Sequence, residues 1–94
     1  MHVLHIEHAV KDFAGWKKAF DSDPVAREKS GVRRHRVLRP IDDDKYVMID
    51  LEFDTADQAQ AMLAALHTLW GRVEGTVMMN PQTRIVEAVE TIDY

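Results

Sequence analysis

The stretch Lys45–Phe53, KYVMIDLEF, limits what this chain can fold into more than any other segment. Val47, Ile49, Leu51 and Phe53 alternate with Tyr46, Met48, Asp50 and Glu52. A period of two is the repeat of a β-strand, so one row of this strand is wholly apolar and the other is mixed and acidic. The apolar row requires a layer packed on it. What lies against the mixed row bears on function.

The sequence on either side reads as one domain over residues 1–94. Val3–Val10 predicts a first strand, with Leu4 and Ile6 on one face and Val3, His5, Glu7 and Ala9 on the other. Asp12 stands where a helix N-cap should, its carboxylate placed to accept the unpaired N–H groups of a first turn. Phe13, Trp16 and Phe20 follow as an amphipathic stripe that must pack on the sheet. Ser22-Asp23-Pro24 breaks the helix, Val25–Ser30 predicts a further turn or two, and Gly31 is a natural stop. Val32–Arg39 predicts a second strand, whose many charges suit a sheet edge. Pro40–Asp44 then turns the chain back into Lys45–Phe53.

Thr55 and Gln58 have the spacing of a capping box. Ala59, Met62, Leu63, Leu66, Leu69 and Trp70 form a second helical stripe, which Gly71 is expected to end. Trp16 and Trp70 read as core residues of the two stripes. Arg72–Pro81 reads as a loop with an apolar centre, Val77-Met78-Met79, and Thr83–Thr91 as the last strand. The order β-α-β-β-α-β predicts an α+β, ferredoxin-like sandwich. Its four-stranded antiparallel sheet has the first and third strands at the centre and both helices on one face.

Composition removes several classes of function. A net charge of -4 argues against a general nucleic-acid binder. Without cysteine there is no disulfide or thiolate chemistry. No segment has the length of a membrane span, and MHVLHIEH lacks the marks of a secretion signal, so a cytoplasmic location is the default expectation. No phosphate-cradling glycine loop, nucleophile elbow or dinucleotide fingerprint is present. His2, His5 and His8 recur every three residues, but in a strand His5 faces away from the other two, so no metal site is expected there. Asp42-Asp43-Asp44 lacks the further oxygen ligands of a calcium loop and reads as a solvated turn.

Two helices cover only one face of such a sheet. The other face presents Val3, His5, Glu7, Tyr46, Met48, Asp50 and Glu52. The register of Val32–Arg39 decides whether Arg34 and Arg36 or Arg33 and His35 join them. Val3, Tyr46 and Met48 are too apolar to be left in water, while the acids and histidine are too polar for a dry core. Two such sheets packed face to face would enclose a half-buried polar cavity, so a homodimer is expected. His5, Glu7 and Asp50 are the candidate catalytic residues, because a carboxylate beside imidazole orients the ring and raises its basicity. Arg34, His35, Tyr46, Met48 and Glu52 are the candidate ligand-binding residues, the basic ones suited to an anionic group. The same cluster also reads as a hydrogen-bonded network filling a dimer interface, the commoner role of such polar clusters.

The segments HIEHAVKDFAGWKKAFDSDP, GVRRHRVLRPIDDDKYVMIDLEFDTADQAQAML and NPQTRIVE resemble small bacterial members of the dimeric α/β-barrel superfamily. That superfamily includes the antibiotic-biosynthesis monooxygenase-like proteins and cyclase-like ones. The shared features are structural: the W-x-x-x-F helix stripe, the D-D-D turn and the strand pattern. The resemblance implies the fold and a homodimer. It also implies an enclosed cavity for a small aromatic or polyketide-like molecule, with cofactor-independent oxygenation, isomerisation or cyclisation as the reaction types. In that setting His5 would be the base, Glu7 or Asp50 its orienter, and an arginine of the second strand would steady developing negative charge. Two readings stand beside it: a non-catalytic dimer that binds a ligand or partner, and haem binding through His67 or His35. Haem-degrading relatives carry an Asn, a Trp and a His in an order this chain does not match, since its first strand has no Asn and His67 precedes Trp70.

Overall fold

The computed structural model describes residues 1–73 and 79–94. Among them the elements follow the expected order: β1 (His2–Ala9), α1 (Phe13–Asp21), β2 (Arg34–Leu38), β3 (Tyr46–Phe53), α2 (Ala56–Val73) and β4 (Met79–Glu87). The strands form one antiparallel sheet in the order β2-β3-β1-β4, so β1 and β3 are central. This is the ferredoxin-like α+β sandwich.

The caps act as their chemistry requires. Asp12 accepts the Gly15 N–H at 2.8 Å and starts α1. Thr55 Oγ1 accepts the Gln58 N–H at 3.2 Å, and Gln58 Oε1 accepts the Thr55 N–H at 3.3 Å, closing the capping box ahead of α2. Leu4, Ile6, Val47, Ile49, Leu51 and Phe53 form the apolar floor of the sheet. Trp16 of α1 and Ala59, Met62, Leu66 and Trp70 of α2 cover it. Each large side chain buried there contributes about 1.5–3 kcal/mol, which is what holds the helices to the sheet.

Several boundaries differ from the sequence reading, each for a local reason. Residues 25–30 form turns instead of helix, since Ala26 takes a left-handed φ of 50°. Helix α2 runs through Gly71 to Val73; the position a Gly71 Cβ would take is open, so nothing there demands a break. Strand β2 is shorter than Val32–Arg39. Strand β4 begins at Met79 and ends at Glu87, four residues earlier at each end than Thr83–Thr91. It reaches back because β1 offers an edge as far as Ala9. Glu7 faces Gln82 but Ala9 faces Met79, so one extra β4 residue bulges out opposite His8, with Asn80 at φ 55°. Pro81, which has no N–H for a regular ladder, lies at this irregularity. Met79 therefore belongs to a strand, while Val77 and Met78 of the expected apolar loop lie outside the described residues. No helix among the described residues is long and apolar enough to cross a membrane.

Candidate functional site

The β1–β3 register sets His5 directly across from Asp50, Val3 from Glu52 and Glu7 from Met48, all on the face without helices. The β2–β3 register sets Arg34 across from Glu52 and Arg36 across from Asp50, so these two arginines join that face. His35 pairs with Leu51 instead and lies on the helix side, where its ring meets the edge of Phe20 at 5.3 Å. His35 is therefore removed from the open-face set. The register decides this, because a strand shifted by one residue exchanges its faces.

The remaining residues make a continuous polar chain. The Arg36 guanidinium donates to Asp50 at 3.0 Å, and His5 Nδ1 donates to the other Asp50 oxygen at 2.7 Å. His5 Nε2 donates to Glu7 at 2.8 Å, and the Tyr46 hydroxyl donates to the second Glu7 oxygen at 2.9 Å. Arg34 donates to Glu52 at 2.8 Å beside it. Partial burial would lower the His5 pKa, but hydrogen bonds and charge from Glu7 and Asp50 outweigh that and raise it. The hydrogen bond from His5, then that from Tyr46, lowers the Glu7 pKa. Partial burial, then the bond to Glu7, raises the Tyr46 pKa.

A histidine that donates from both nitrogens is an imidazolium. Both ring nitrogens of His5 are thus engaged by carboxylates in the single chain. The open face is a satisfied network, with Leu38, Val3, Met48 and Val86 as its apolar part by register. Leu38 and Val86 are 39% and 40% exposed in the single chain.

The opposite layer holds a second candidate site, which the sequence reading passed over. A cavity of about 250 Å³ lies between the sheet and the helices. Its floor is Ile6, His8, Ile49 and Leu51, and its walls include Trp16 and Phe20 of α1 and Leu66, Leu69 and Trp70 of α2. Ser22, Pro24, Val25 and Arg27 from the turns after α1 complete it. Trp16 stacks on Phe20 at 5.0 Å between centroids, and the Arg27 guanidinium lies 3.8 Å over the Phe20 ring. Both tryptophans are core residues as expected, and both also face this space.

His8 is the sole polar or charged side chain in the buried set of described residues, 2% exposed. Its Nδ1 lies 3.0 Å from the Ala9 carbonyl, and its ring meets Trp16 edge-on at 5.9 Å. Burial pushes its pKa down, only partly offset by that carbonyl, which favours the neutral ring. One signal in the sequence pointed here: His8 interrupts the apolar row Leu4, Ile6, Val10 on the core side of β1. His67 is exposed on α2 and His35 is exposed on the edge strand; neither lines the cavity. Among the described residues no group of three or more His, Asp or Glu side chains is arranged to hold a metal ion.

Solved structures share this fold. The chain resembles an antibiotic biosynthesis monooxygenase, so named provisionally, from Deinococcus radiodurans, with a TM-score of 0.79 at 14% identity over 100% of this chain and 98% of that one. It resembles SnoaB, a cofactor-independent oxygenase from Streptomyces nogalater, with a TM-score of 0.77 at 17% identity, covering 99% of this chain and 97% of SnoaB. It also resembles a point mutant of MhuD, solved with two manganese protoporphyrin IX molecules per active site, with a TM-score of 0.73 at 20% identity over 100% of both chains. No protein-family model matches the chain, and no curated protein shows significant sequence similarity to it. The fold is thus that of antibiotic biosynthesis monooxygenase-like, ferredoxin-fold proteins, as the sequence resemblance implied.

Proposed function

We infer that this protein is a homodimeric enzyme of the cofactor-independent oxygenase type, which encloses a small aromatic or polyketide-like molecule in the cavity between sheet and helices. The observation that carries this reading is the cavity itself: apolar, aromatic-walled and provided with one buried neutral histidine. A cavity of about 150 Å³ holds benzene, so 250 Å³ suits a molecule of one or two fused rings. A porphyrin, as bound by MhuD, is far larger. The fold shared with SnoaB supports the reaction class.

In this reading the open face serves assembly. Its apolar side chains need cover, and its charges are already paired within the chain, which suits a sheet-to-sheet interface. His5, Glu7, Asp50, Arg34, Tyr46, Met48 and Glu52 then hold two subunits together and keep the barrel interior polar.

1-Naphthol is a suitable first probe, since its oxidation by dioxygen to 1,4-naphthoquinone releases one water and needs no other reductant. Titration is expected to quench the tryptophan fluorescence of Trp16 and Trp70. Incubation in air is expected to consume dioxygen and produce quinone absorbance above a protein-free control. Unchanged fluorescence would sink the cavity reading, and binding without oxygen uptake would remove the reaction class.

A further inference from the structure

We propose that His8 Nε2 is the polar anchor of the cavity, accepting a hydrogen bond from the O–H of a hydroxyaromatic ligand whose rings lie against Trp16 and Trp70. The inference rests on the cavity reading above and adds the ligand's chemical class. Three observations carry it.

The first is the tautomer. A carbonyl oxygen can only accept, so His8 Nδ1, 3.0 Å from the Ala9 oxygen, must carry the proton. In a neutral ring the lone pair then lies on Nε2. Among the described residues Nε2 makes no hydrogen bond, and it is not one of the side-chain atoms shut off from all surroundings. The second is composition. The rest of the floor at this point is Ile6, Ile49 and Leu51, so a neutral acceptor there has no structural partner to satisfy it. An acceptor with no protein partner gains one when a ligand O–H occupies the cavity.

The third is placement. The Trp16 ring fixes the imidazole edge-on, and the β4 bulge opposite His8 interrupts regular pairing at this one position of β1. Bulges re-aim side chains next to sites of function. His5, on the same strand, shows the contrast: both its nitrogens are committed to carboxylates.

The test compares 1-naphthol with 1-methoxynaphthalene, which keeps the rings and oxygen but cannot donate. Wild-type protein is expected to bind both, and to prefer 1-naphthol by roughly tenfold, the worth of one good buried hydrogen bond. His8→Leu keeps nearly the same volume and is expected to bind the ether at least as well while losing the preference. His8→Gln, which restores an acceptor, is expected to recover part of it. Nitrogen-15 NMR of the wild-type histidines gives a readout independent of any variant's folding: an Nδ1–H neutral tautomer, whose Nε2 resonance moves on adding 1-naphthol and not on adding the ether. A His8→Leu protein that still prefers 1-naphthol, or an unmoved Nε2 resonance at saturating 1-naphthol, overturns the proposal. Equal binding of both probes by the wild type also overturns it while leaving the cavity reading intact. Binding of neither probe overturns both.

Discussion

His5 and Asp50 face each other across the β1–β3 pairing, Nδ1 to Oδ1 at 2.7 Å, within the polar chain that runs from Arg36 to Tyr46 on the open face. With Glu7 on its second nitrogen, His5 sits between two carboxylates, which raise its pKa. Three residues later the same residue type, at His8, points into the opposite layer, where burial lowers its pKa. One strand thus carries two histidines whose pKa values are shifted in opposite directions, and the difference follows from which layer each enters.

A pH dependence follows from the first of these. The raised pKa of His5 means its stabilising contribution is fully present below its ordinary value of 6.5 and is lost as pH rises through the folded value. The lowered pKa of Glu7 means its contribution is present above 4.5 and is lost as pH falls through the folded value. The melting temperature of wild type relative to His5→Gln should therefore be most favourable between these two limits and decline at alkaline pH. Melts from pH 4 to 9 check this, and a constant difference would contradict it. Comparing the pair is necessary because His8, with its lowered pKa, acts in the opposite sense: its contribution is present above 6.5 and lost as pH falls.

Met48 tests the assembly. It lies on the open face across from Glu7 and Leu38, away from the helices. Met48→Lys would carry a charged, strongly hydrated ammonium into a sheet-to-sheet interface. Sedimentation should show a dimer for the wild type and a folded monomer for the variant. A monomeric wild type would remove the interface reading.

Phe53 tests the core. It is fully buried on the helix side of β3. Phe53→Ala should cost about 3–5 kcal/mol, read from urea unfolding midpoints. A cost under about 1 kcal/mol would mean that the site collapses around the deletion.

Gly31 and Gln58 should be coupled. Gly31 has φ 102°, and a Cβ there would come 2.8 Å from Gln58 Nε2. Gly31→Ala forces a left-handed conformation, costing about 1–2 kcal/mol, and pushes aside the side chain that closes the α2 capping box. Gln58→Ala should cost markedly less in the Gly31→Ala background than in wild type. Additive unfolding energies in this cycle would refute the coupling.

The alternation of KYVMIDLEF, the stripe Phe13, Trp16, Phe20 and the stripe through Leu66 and Trp70 determined the layers and the element order, because periodicity is a local property of the chain. Caps at Asp12 and Thr55 were legible for the same reason. The start of β4 was not, since Asn80 and Pro81 look like a loop until the free edge of β1 pairs with Met79 and Gln82 on either side of them. Nor was the strand register, on which His35 left the open face and Arg34 and Arg36 entered it. Both nitrogens of His5 became committed, and His8 came to line a cavity, only through contacts between residues far apart in sequence. In KYVMIDLEF itself the apolar row was decided by sequence alone. The fate of Tyr46, Met48, Asp50 and Glu52 was decided by which strands lay beside them, because a side chain's charge state and partners depend on neighbours that only packing supplies.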